Sequence, residues 1–136
     1  METQHYMRIK ASLAYIESIL KDIDDGISSG ESIYKNIHND LTPEQLAKVK
    51  SEIKKMKSLL KKAKEEFNIK EDTFQLSHLI YTSSSYIWET LEDLWTHKLD
   101  KAYGKIKSEE KKEKLNALVK ELLEHNHKLN ALIGYK

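Results

Sequence analysis

The chain has 136 residues, 23 basic and 22 acidic side chains, a formal charge of +1 and no cysteine. Its length fits one domain that buries roughly two-thirds of the surface its unfolded form exposes. The missing thiols exclude disulfides, thiolate metal sites, zinc fingers and a cysteine nucleophile.

Nearly all the positive charge is lysine, and Arg8 is the one arginine. Guanidinium is the group that forks onto phosphate and stacks on bases, so nucleic acid is a poor candidate partner. The opening METQHYMRIK has no apolar core of signal-peptide length, and no uninterrupted apolar run approaches a membrane span. The expectation is a soluble, cytoplasmic protein with no membrane partner.

In chain order, Tyr6, Ile9, Leu13, Ile16, Leu20 and Ile23 step by three and four, which predicts a first helix over about 3–25. Gly26 offers it a left-handed C-terminal position. Ser28, with Glu31 three residues on, reads as a capping box that opens a short helix over about 29–38. Against this break, Ile27, Gly30, Tyr34, Ile37 and Leu41 keep the phase of the first helix, which allows one kinked helix over 3–38.

The next boundary is the clearest. Thr42-Pro43-Glu44-Gln45 supplies an N-cap, a proline at the first helical position and a glutamine at the third. A helix follows to about Phe67 on Leu46, Val49, Ile53, Met56, Leu60, Ala63 and Phe67. Asn68 to Asp72 is a polar connection. Asp72 or Thr73 then caps a long helix over about 73–103, and Gly104 ends or bends it. Ser108, with Glu109 and Glu110 behind it, opens a last helix with carboxylates where the helix dipole favours them. Leu115, Leu118, Leu122, His125, Leu129 and Leu132 form its apolar row, and Gly134 closes it.

No stretch alternates with period two, and short connections force neighbouring long helices to run antiparallel. The expected fold is all-α: one domain over 1–136, an antiparallel up-down bundle of four main helices with coiled-coil-like packing. A short extra helix between the first and second is part of that expectation.

Eight lysines (48, 50, 54, 55, 57, 61, 62 and 64) crowd the second long helix. Antiparallel pairing would set Asp22, Asp24 and Asp25 near Lys57, Lys61 and Lys62, giving those charges an intramolecular use.

The third long helix is different. Leu76, Leu79, Ile80, Tyr81, Ser83, Ser84, Tyr86, Ile87, Trp88, Leu91, Leu94, Trp95 and Leu99 span an arc of roughly 220° at 100° per residue. So wide an arc needs extra cover. Tyr81, Trp88 and Trp95, spaced by seven, form one margin of it, and with Leu91 and Leu99 they are the expected contact with another chain.

Ser83 and Ser84 stand where leucine is expected, roughly level with Asn130 and Ala131. With His125 and Asn126 they form either a self-satisfied polar layer or the lining of a small ligand pocket.

Other patterns carry less. Glu124-x-x-His127 and Glu2-x-x-His5 match the spacing of dimetal bundles, but that chemistry needs paired motifs and inward carboxylates from two further helices. Glu124 and His127 point away from the apolar row. Thr82 to Ser85 is a hydroxyl run without the glycine elbow of a nucleophile, and no phosphate-binding glycine loop exists. No catalytic residue, metal ligand or cofactor is expected. The expected function is a non-enzymatic, self-associating interaction or adaptor protein with a protein partner. The alternative is a small-ligand or metal-binding bundle, possible as an enzyme host, built on Ser83, Ser84, Glu89, His125, Asn126 and His127.

Overall fold

A computed structural model describes residues 3–134. The chain is mostly helical: α1 (Thr3–Ser29), β1 (Glu31–Ser32), β2 (Lys35–Asn36), α2 (Pro43–Glu66), α3 (Leu76–Glu92), α4 (Thr96–Tyr103) and α5 (Glu109–Leu132). The all-α class holds, apart from a two-stranded hairpin. By contacts the chain forms two units, Met1–Asp72 and Thr73–Lys136.

In the first unit, α1 and α2 run antiparallel, as their ion pairs record. Asp24 meets Lys57, Glu17 meets Lys64, and Lys10 meets Asp72. Each step of seven down α1 is a step of seven or eight up the other side. The expected pairing of the Asp22–Asp25 stretch with the lysines of α2 is realised at Asp24 and Lys57. Between the helices, Leu20, Ile53 and Leu60 form the core, with Leu13, Ile16, Ile27 and Val49 against it. These are the rows read from the spacing.

The cap of α2 also forms as read. Thr42 Oγ1 accepts from the Gln45 N–H at 3.1 Å, and Gln45 Oε1 accepts from the Thr42 N–H at 3.0 Å. Two donors that a helix start leaves orphaned are thereby satisfied.

The short helix expected over 29–38 is a correction. α1 continues past Gly26 to Ser29, and Gly30 at φ +72 ends it. The chain then turns back as a hairpin pairing Glu31 with Asn36 and Ser32 with Lys35. Asp22 on α1 holds the turn, its carboxylate accepting the Ile33 N–H at 2.9 Å. Ser29 Oγ donates to the Asp25 carbonyl at 2.7 Å, so the serines here close a helix and do not open one.

In the second unit the long helix expected over 73–103 is also corrected. It breaks at Asp93–Trp95, where the Leu94 N–H turns back onto the Leu91 carbonyl at 3.0 Å. The break is compensated from α5. Asn116 Oδ1 accepts the Thr96 N–H at 3.1 Å, and its Nδ2 donates to Thr96 Oγ1 at 3.0 Å. A side chain from another helix therefore does what an N-cap residue does locally. Ser108 caps α5, its side chain accepting the Lys111 N–H at 3.3 Å.

Candidate functional site

The seam between α3 and α5 is built from hydroxyls and amides. Ser84 is 1 % exposed, and its Oγ lies 2.8 Å from the Asn130 side-chain amide and 2.9 Å from the Tyr81 carbonyl. The Ser84 hydroxyl proton is shared between two acceptors, Asn130 Oδ1 and the Tyr81 carbonyl. Asn126, also buried, donates from Nδ2 to the Ser84 carbonyl at 2.9 Å.

Further along, Thr96 meets Asn116, and Asp100 meets Lys112 at 2.6 Å. As α4 advances by four residues, α5 retreats by four, so the pairing is antiparallel. Asp100 also accepts the Ile106 N–H at 2.8 Å. The Lys112 ammonium, helped by that N–H, holds the Asp100 carboxyl below its usual range, and Asp100 in turn raises Lys112.

The row that α5 turns inward is thus Lys112, Asn116, Val119, Leu123, Asn126 and Asn130, with Val119 1 % exposed. The expected inward row is mostly the one left in solvent: Leu118, Leu122, Leu129 and Leu132 are 44–83 % exposed, and His125 is exposed between them. On α3, Leu76, Leu79 and Ile87 are 44–69 % exposed.

The physical reason lies in the polar groups. Three asparagines and the hydroxyls of α3 and α4 satisfy one another only if they face each other. That turns α5 about its axis and carries the leucines off the seam.

The two leucine rows share a side. At 100° per residue, from Ser84 on α3 and Asn126 on α5, each row turns in the same rotational sense by roughly 40–140°. In an antiparallel pair, equal turns in one sense face one side of the hairpin. The second unit therefore carries its exposed leucines and Ile87 toward one side, with His125 among them.

The site residues read from the sequence are distributed unevenly over this frame. Trp88 is 52 % exposed and turns the opposite way from the leucine rows, over a shallow depression with Glu89, Glu92, Asp93 and Lys98. Trp95 does not continue a Tyr81–Trp88 stripe, because α3 has ended before it. It is half-buried, and its indole N–H donates to Glu92 Oε2 at 2.8 Å. Leu91 is buried in the seam, and Leu99 is half-buried.

Ser84, Asn126 and Asn130 come together as a layer. Ser83 is half-buried beside it, and His125 lies outside it on the open face. Asn126 Oδ1 is enclosed without a hydrogen-bond partner among the described residues. Among those residues no three His, Asp or Glu groups gather in a way that could hold a metal ion. Glu2, of the Glu2-x-x-His5 spacing, lies outside them.

The first unit has a cleft of about 260 Å³ beneath its hairpin, lined by Ile23, Ile27, Tyr34, Ile37 and Leu41 among others. No described helix is long and apolar enough to cross a membrane. No family model, no curated protein and no solved structure matches this chain.

Proposed function

We propose that this is a non-enzymatic interaction protein whose working surface is the leucine face of α3 and α5. The observation that carries the reading is the inversion on α5: asparagines pack inward while Leu118, Leu122, Leu129 and Leu132 face water. Burying a leucine is worth about 1.5–3 kcal/mol. Four on one helix, joined by three apolar residues of α3, form a face that gains most from a helical protein surface of like spacing. The antiparallel four-helix packing read from the sequence enters here as the geometry that covers such a row.

This reading moves the docking surface away from Tyr81, Trp88 and Trp95. Leu91 is committed to the seam, and Trp95 is tied to Glu92.

The test is site-specific photocrosslinking in the native host, with a photoreactive residue in turn at positions 118, 122, 129 and 132, and at Lys120 as an off-face control. Adducts to a polypeptide from the leucine positions, and not from position 120, are expected. Absence of adducts at all four leucine positions would contradict the reading.

A further inference from the structure

The outward row along α5 keeps heptad spacing, as its inward row also does. Leu115, Leu118, Leu122, His125, Leu129 and Leu132 are spaced three, four, three, four and three. The spacing is the same read from either end. Heptad rows pack on one another in either direction, and a two-fold symmetric contact between identical chains is one arrangement that satisfies such a row.

We propose that the occupant of the leucine face is a second copy of this chain, with α5 packed antiparallel on α5 about a two-fold axis between Leu122 and His125. This rests on the docking reading above and names its partner. The axis sets Leu115 level with Leu132 of the second copy, Leu118 with Leu129, and Leu122 with His125.

The flanking charges select that register. Glu121 and Lys128 flank the row on the same margin, and the axis brings Glu121 of each copy within about half a turn of Lys128 of the other. Opposite charges therefore meet on both sides of the axis, and like charges do not.

His125 is the imperfect element of the row. It places an imidazole where the spacing calls for leucine, so it weakens the contact and makes a gain-of-affinity test available.

The experiment is sedimentation equilibrium of the purified chain over a wide concentration range, with helicity followed by circular dichroism. Wild type is expected to dimerise reversibly. Leu122→Lys with Leu129→Lys is expected to remain monomeric at unchanged helicity, since both side chains are exposed in the single chain. His125→Leu should tighten the dimer by about tenfold or more, a result that misfolding cannot mimic. Glu121→Lys should loosen it by a few-fold, and adding Lys128→Glu should restore it.

A folded wild type that stays monomeric to about 1 mM would overturn the proposal. So would a dimer indifferent to the lysine pair, or one weakened by His125→Leu. If the chain is monomeric while position 122 still crosslinks to a different polypeptide, the second copy is the wrong occupant and the docking face stands.

Discussion

Gly26 and Gly30 show how differently two glycines four residues apart can act. Gly26 has helical backbone, and a Cβ there would sit 3.8 Å from Ile37 Cγ1, an ordinary contact. Gly30 lies at φ +72, in the region where a side chain clashes with the following carbonyl. Gly26→Ala should therefore stabilise the first unit by up to about 1 kcal/mol, through helix propensity and a less flexible unfolded chain. Gly30→Ala should destabilise it by about 1–2 kcal/mol. Urea unfolding of both variants checks the pair, and equal signs would be the wrong result. From sequence, Gly26 looked like the helix end because the two positions differ only in backbone angle, which composition does not encode. Asp22 was similarly opaque: its role depends on meeting the Ile33 N–H eleven residues away.

At the scale of elements, legibility followed how local the determinants are. α2 was readable because Thr42, Pro43 and Gln45 act within one turn. The ends of α5 were readable for the same reason, from Ser108 and Gly134. The break between α3 and α4 was not, because the group that makes it tolerable, Asn116, lies twenty residues on. The facing of α5 failed in an instructive way. Periodicity identifies a leucine row; the meeting of Ser84 with Asn126 and Asn130 was among the expectations, but that of Asn116 with Thr96 on α4 was not.

The Asp100–Lys112 pair ties α4 to α5 and carries a pH signature. With the Asp100 carboxyl lowered by Lys112, the folded form binds fewer protons than the unfolded form near pH 4. The contribution is present above the ordinary carboxylate range and is lost as pH falls through and below it. Lys112 is raised, so its share is present below the ordinary lysine value and is lost as pH rises through the higher one. Asp100→Asn should lower the Tm between about pH 5 and 9, with the difference from wild type shrinking at both extremes. A difference that persists unchanged at pH 2 would mean that charge is not what the pair contributes.

At the scale of the molecule, two designs divide the chain. The first unit packs much of its apolar rows between α1 and α2, around Leu20, Ile53 and Leu60, while Ile23 and Met56 of those rows stay exposed. The second builds its seam from Ser84, Thr96, Asn116, Asn126 and Asn130, which fix register more than they supply hydrophobic stabilisation. Its leucines stand exposed outside the seam. The surplus of apolar surface was visible in the sequence and expected on the Tyr81, Trp88 and Trp95 margin; Tyr81 and Trp88 are exposed there, while the helix is interrupted before Trp95. The heptad spacing of the α5 leucine row was in plain view, but the direction in which it faces was not.

The proposed contact of α5 with α5 of a second copy is open to a direct test. The chain has no cysteine, so single substitutions along α5 give a clean disulfide scan under mild oxidation. Leu122→Cys and His125→Cys, nearest the axis, should form disulfide-linked dimers fastest, with yield falling away toward positions 115 and 132 and none from the inward Val119→Cys. Linkage from position 119 as fast as from 122, or none from 122 and 125 at concentrations where the chain sediments as a dimer, would contradict it.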